Sequence, residues 1–234
     1  MPAIKKKKKV KTTEDVLELL CFSVKKVLCI ATKSEISFSP IIQRVSKTCL
    51  KPDIGCFVMF DGGFSGLVVM NFSAAAAIEI YRNYMINMGM PEEEISPLYT
   101  SDDVSNSLGE LMNQIIGDFQ VSLKNNFHVT VCQNQPKMLV INKELMISVN
   151  AQIDRPQFRK VTFETENHRP FYLEISMEKT EFVELFSTDD DESESGNAVV
   201  NANAGDKTGA DEKNAIGNSA AEAADDDFLK QFGF

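Results

Sequence analysis

The chain has 234 residues, 43% of them hydrophobic, enough for one globular domain with an appendage. Its formal net charge of −10 is lopsided: residues 187–234 hold 12 of the 34 acids and 3 of the 24 bases, which leaves the first 186 residues near neutral at −1. No apolar run reaches the ~20 residues of a bilayer span, no apolar stretch follows Lys5 to Lys9 as a signal peptide requires, and two histidines and five cysteines without a CxxC pair leave no His- or Cys-based metal site.

These features predict a cytoplasmic protein with reduced, mostly buried thiols and no membrane or nucleic-acid partner. Residues 1–11 read as a disordered, solvated basic leader. Thr12 or Thr13 can cap a helix with Glu14 and Asp15 in its first turn, and Val16, Leu17, Leu19, Leu20, Val24, Val27 and Leu28 form its apolar stripe. A short strand is expected over Glu35–Ser39, ended by Pro40. Two β-rich runs, Ile54–Phe60 and Phe64–Phe72, flank Asp61-Gly62-Gly63, which reads as a tight hairpin turn. No Gly-Lys-Ser/Thr follows, so the glycine pair is not a phosphate loop.

Ser73 is the N-cap of a second helix, Ala74 to about Asn87, closed by Gly89 and Pro91. A third helix starts near Thr100 or Ser101 and runs to about Phe127. Four β-like runs follow: about Phe127 to Cys132, Met138 to Ile141, Leu145 to Ala151 and Arg159 to Thr165. A turn at Glu166-Asn167-His168 leads to a last strand, Phe171–Met177. His128 and His168 read as surface or strand histidines.

From Ser187 the composition turns to Asp, Glu, Ala, Asn, Gly and Ser, too little apolar surface to offset chain entropy. Residues 187–224 are therefore expected to be a disordered acidic linker. The last ten residues, 225–234, differ again by carrying Phe228, Leu229, Phe232 and Phe234 behind three aspartates.

The third helix carries the most information. On a helical wheel Val104, Leu108, Leu111, Met112, Ile115, Ile116 and Phe119 share one side, and Asp103, Asn106, Glu110, Asn113 and Gly117 share the opposite one. Glu110 and Asn113 are neighbours at i, i+3. The polar stripe contains no Lys or Arg to pair with Glu110. Gly117 costs about 1 kcal/mol of helix propensity relative to Ala, which on an exposed face points to close approach by another molecule.

The run Gly109-Glu110-Leu111-Met112-Asn113-Gln114-Ile115-Ile116-Gly117 resembles the ExxN signature helix of the CheC/FliY/CheX phosphatases, and the segment order over roughly 12–186 is similar to theirs. The resemblance implies an α/β (α+β) fold: a CheX-like sandwich of mostly antiparallel sheet with long helices packed on it. The first helix has no second ExxN, since Glu14 is followed at +3 by Leu17 and Glu18 by Cys21, so a single-site, CheX-like member is implied. The segment Glu35 to Pro52, the acidic tail and Asp118-Phe119 after Gly117 depart from the family's usual pattern.

The resemblance further implies dephosphorylation of the aspartyl phosphate of a CheY-like response regulator. Asn113 would position the attacking water, Glu110 would dock on the regulator's active-site lysine, and Asn106 and Gly117 would lie at the contact. It implies no cofactor in the chain itself, Mg2+ on the partner regulator, and a homodimer formed through the sheets. The alternative is a non-catalytic adaptor on the same fold that binds a response regulator or flagellar switch component. The C-terminal run Asp226-Asp227-Phe228-Leu229-Lys230-Gln231-Phe232-Gly233-Phe234 resembles the CheY-binding peptide of an unrelated phosphatase, CheZ. That resemblance makes Asp226, Asp227, Phe228, Leu229, Phe232, Gly233 and Phe234 partner-binding residues.

Overall fold

Strand side chains alternate between two faces of a sheet, and here the two faces are covered differently. The computed structural model describes residues 10–141, 143, 145–147 and 156–183. In chain order the elements are β1 (Val10–Lys11), α1 (Thr13–Thr32), β2 (Ser37–Phe38), β3 (Gln43–Arg44), β4 (Thr48–Leu50), β5 (Ile54–Gly62), β6 (Gly66–Phe72), α2 (Ala74–Asn87), α3 (Asp102–Phe127), β7 (Val131–Gln133), β8 (Lys137–Val140), β9 (Leu145–Ile147), β10 (Gln157–Glu164), β11 (Pro170–Met177) and β12 (Phe182–Val183), with a 3-10 turn at Glu92–Glu94. The main sheet runs β2-β10-β11-β6-β5-β7, with β3 also on β10 and β8 also on β5; β1–β12 and β4–β9 form separate pairs. Every pairing among the described residues is antiparallel. This is the mostly antiparallel sheet with packed helices that the resemblance implies.

The helix-facing side of the sheet takes alternate residues: Phe171, Leu173, Ile175 and Met177 from β11, Val68, Met70 and Phe72 from β6, and Ile54, Cys56, Val58 and Phe60 from β5, all buried. They meet the apolar stripes of α1, α2 and α3 in one core. Within it Phe72, Phe171 and Phe163 stack in a ladder, with centroids 5.3 and 5.1 Å apart. β6 is buried on both faces. Its Leu67 and Val69 turn the other way and pack with Leu50 and Ile141 in a second, smaller cluster.

On that second face two buried polar side chains hold the backbone beside β4. Asn71 accepts from the Lys51 N–H (2.7 Å) and donates to the Cys49 carbonyl (2.9 Å), and the Glu174 carboxylate accepts from the Cys49 N–H (3.0 Å). They supply the partners that backbone leaving water requires. The 35–52 segment noted as unusual thus has a use: it adds β2 and β3 to the β10 edge and lays β4 over the second face.

Helix ends follow the local chemistry. Asp15 Oδ2 accepts from the Thr12 N–H (2.6 Å) and hydroxyl (2.8 Å), fixing the start of α1. Ser73 and Ser101 accept from Ala76 and Val104 N–H groups at the starts of α2 and α3. Lys33 and His128 end α1 and α3 in the left-handed region, at φ 51 and 54.

Several expectations need correction. Val10 and Lys11, placed in a disordered leader, form β1 against Val183 and Phe182, and the Lys11 ammonium lies over the Phe127 ring. Phe127 is the last residue of α3, so the strand expected from Phe127 begins at Val131. The first short strand narrows to Ser37–Phe38. Asp61 and Gly62 are not the hairpin turn: they continue β5 and pair with Cys132 and Val131 of β7, and the chain reverses at Gly63–Ser65. Gly62 has φ +131, and a Cβ there would meet the Thr130 carbonyl oxygen at 2.9 Å, so the close β7 strand and the backbone angle both require glycine. Residues 1–9, most of the Leu145 to Ala151 run, the linker 187–224 and the peptide 225–234 lie outside the described residues.

One ion pair joins α1 to the sheet. The buried Arg159 of β10 donates to Glu14 Oε1 from Nη2 (2.8 Å) and Nε (3.1 Å), and to Gln157 Oε1 (2.8 Å). The guanidinium hydrogen bonds hold the Glu14 carboxyl below the ordinary carboxylate range, against a smaller opposing effect of burial. A lowered folded-state pKa gives stability that is complete above the unfolded pKa of about 4.3 and is lost as pH falls through the folded value. Thermal melts should therefore fall more steeply with acid for the native chain than for Glu14→Gln, the two curves converging below about pH 4.3. Parallel melting curves down to acid would remove Glu14 from the acid response.

Candidate functional site

α3 sorts its side chains by position alone. Val104, Leu108, Leu111, Met112, Ile115, Ile116, Phe119 and Leu123 are all buried, while Asn106, Glu110 and Asn113 are exposed and Gly117 is half-buried. The polar stripe read from the sequence is thus one outward face. At ~1.5 Å of rise per residue, Glu110 to Gly117 covers ~10 Å of helix.

Within that face Glu110 Oε1 accepts from Gln114 Nε2 at 3.2 Å, one turn on, which orients the carboxylate along the helix. Asn113 has no hydrogen-bond partner among the described residues, so its amide offers a donor pair and an acceptor to whatever arrives. A Cβ on Gly117 would meet nothing within 4 Å, and one on Gly109 would make only an ordinary contact with Met138 Cγ at 3.5 Å. The chain's own packing therefore does not call for glycine at 117, and the space it leaves faces outward. The arrangement presents a carboxylate, an amide and a stretch of bare backbone on one rigid helix.

The sequence reading missed a cation here. It found no Lys or Arg on the stripe, but α1 packs beside α3 and places Lys26 Nζ 2.5 Å from Asp118 Oδ1, the residue after Gly117. No local signal could have found this pair, because its members are 92 residues apart in sequence. Away from the stripe, His128 caps α3 and His168 sits in a turn 3.5 Å from Glu164, both exposed. Cys21, Cys29, Cys56 and Cys132 are free thiols, Cys132 exposed, and burial pushes the Cys21 and Cys56 thiols up to about 12 each. Among the described residues no group of three or more His, Cys, Asp or Glu side chains is placed to hold a metal ion, and no helix is long and apolar enough to cross a membrane. Asp226, Asp227, Phe228, Leu229, Phe232, Gly233 and Phe234 lie outside the described residues.

A family model described as a protein of unknown function, DUF3334, matches residues 7–234. The chain belongs to the DUF3334 family. No curated protein matches it in sequence. Among solved structures, this DUF3334 chain is similar to a CheC-like superfamily protein from Shewanella sp. PV-4, with a TM-score of 0.58 and 18% identity over 70% of this chain and 97% of that one. It is similar to the chemotaxis protein CheX of Desulfovibrio desulfuricans, with a TM-score of 0.56 and 17% identity over 70% and 99% of the two chains. A third similar structure is the CheX–CheY–BeF3–Mg2+ complex from Borrelia burgdorferi, with a TM-score of 0.50 and 14% identity over 70% and 98%. The DUF3334 chain therefore has the CheX fold, as the ExxN helix led one to expect.

Proposed function

We propose that this chain dephosphorylates the aspartyl phosphate of a CheY-like response regulator, with the outward face of α3 as its catalytic surface. The observation that carries the reading is the side-by-side exposure of Glu110 and Asn113 on a helix whose opposite face is entirely core. The CheX fold supports it, as does the Borrelia burgdorferi structure in which a CheX is bound to CheY with BeF3 and Mg2+.

Hydrolysis of an acyl phosphate passes through a loose transition state that needs little covalent help, so a water held in line with the breaking P–O bond is the main requirement. An amide suits that task. Asn113 can accept from or donate to the water without adding negative charge beside the phosphoryl oxygens, which would repel a carboxylate. Glu110 serves docking: its carboxylate pairs with the lysine beside the regulator's phosphorylation site and sets Asn113 in register. The Mg2+ belongs to the regulator and neutralises charge on the phosphoryl group there.

The C-terminal peptide adds a second handle in this reading. Its acidic, aromatic sequence, similar to a CheY-binding peptide, would give the regulator a second point of contact. Phosphate release from a CheY-like regulator charged with a limiting small-molecule phosphodonor tests the reading. The full chain should accelerate release, and a chain ending at Phe186 should act with weaker apparent affinity and similar maximal rate. A chain that binds the regulator and leaves its decay unchanged is an adaptor instead.

A further inference from the structure

Beside the α3 face, α1 presents an outward row of its own. Phe22, Lys26 and Ile30 recur at i, i+4 and i+8 and so lie along one stripe. Phe22 is 52% exposed and Ile30 67%, while the intervening Val24 and Leu28 fill the core. Lys26 ties this row to α3 through Asp118. Phe22 and Ile30 therefore stand one turn to either side of the ion pair on α1. On α3, Val121 stands one turn beyond Gly117 and is 60% exposed.

Single exposed apolar residues are ordinary. Three of them stand within a turn of one interhelical ion pair, on two helices that pack together, and Gly117 beside that pair has nothing over it. Phe22 also meets the edge of Phe38 at 5.6 Å, which leaves Ile30 and Val121 as the chains with least to do inside the fold.

The Glu110–Asn113 stripe is too small to hold a protein partner by itself. Specific interfaces bury ~800 Å² on each partner, with an apolar core inside a polar rim, whereas this stripe runs ~10 Å along one helix and is wholly polar. A receiver domain seated over Glu110 and Asn113 must cover neighbouring surface, and Val121 and the Lys26–Asp118 pair stand next to the open position at Gly117. The cation of that pair, Lys26, suits the acidic surroundings of an aspartyl-phosphate pocket.

We propose that Phe22, Lys26 and Ile30 of α1, together with Val121 of α3, form the second half of the docking surface for the receiver domain. This rests on the reading of Glu110 and Asn113 given above. Glu110 and Asn113 address the phosphorylation site, and the α1 strip supplies the apolar contact and steers the approach of an acidic partner.

The test uses full-length protein and CheY-like receiver domains of the same organism, loaded with Mg2+ and beryllium fluoride. Binding is read by calorimetry and turnover by phosphate release. Ile30→Asp and Val121→Asp should each weaken Kd about tenfold and lower kcat/KM with kcat unchanged, while melting as the native chain does. Asn113→Ala should bind normally, and Lys26→Glu should slow association most at low salt. If Ile30→Asp and Val121→Asp bind like the native chain while Glu110→Ala binds poorly, the strip is overturned and the α3 site stands. If they lose binding but the native chain never speeds phosphate release, the strip stands and the phosphatase reading falls. If they bind normally but change the self-association seen in sedimentation, the strip's occupant is a second copy and the proposal is overturned. If no receiver binds the native chain, the strip and the phosphatase reading fall together.

Discussion

Replacing Asn113 by Ala should cut catalysed phosphate release about 100-fold, the scale on which misplacing a reacting group costs rate, while leaving regulator binding and chain stability unchanged. The separation follows from where the side chain sits. Asn113 is exposed and has no hydrogen-bond partner among the described residues, so its removal leaves no buried group unsatisfied. Alanine also raises helix propensity at that position. What disappears is the amide proposed to hold a water in line. Asn113→Asp should fail as well, because it keeps the size and adds charge beside the phosphoryl oxygens. Single-turnover decay of a phosphorylated CheY-like regulator, with binding measured in parallel, checks this. An Asn113→Ala chain that still accelerates decay within a few-fold of native would end the water-positioning mechanism.

Replacing Phe171 by Ala should destabilise the domain by about 3–5 kcal/mol, the range for a large aromatic lost from a core. Phe171 is fully buried and central in the aromatic ladder, stacked on Phe72 at an interplanar angle of 18° and on Phe163 at 26°. Its strand, β11, pairs on both sides, with β10 and β6, so the residues that line the gap are held by two ladders and cannot easily close over it. That loss is a large part of the ~5–15 kcal/mol that separates folded from unfolded domains. Urea unfolding with a shared m-value measures it. A change below ~1 kcal/mol would show that the core relaxes around the cavity, contrary to the packing density expected of such a site. The contrast between the two substitutions is informative: one should remove the proposed activity without stability, the other stability without touching α3's outer face.

The outward face of α3 was legible in the sequence because helical periodicity is local. Each of Val104, Leu108, Leu111, Met112, Ile115, Ile116 and Phe119 is assigned inward by spacing alone, and Glu110, Asn113 and Gly117 are outward for the same reason. The serine cap of α2 was readable too, since a cap is a contact within a few residues.

What the chain could not reveal by itself depends on pairing across long sequence separations. Asp61-Gly62 has the composition of a turn, yet β7 recruits it into a strand, and that pairing overrides local preference. Thr48–Leu50 carries no strong strand signal and becomes β4 because Asn71 and Glu174, on strands far along the chain, supply hydrogen bonds to its backbone. Val10 and Lys11 look like the end of a charged leader and are ordered by Phe182 and Val183. The surroundings of the α3 face, Lys26 on Asp118 with Phe22 and Ile30 on either side, exist only because α1 packs against α3. Spacing within an element determined which residues face outward, and tertiary packing alone decided which outward residues stand together.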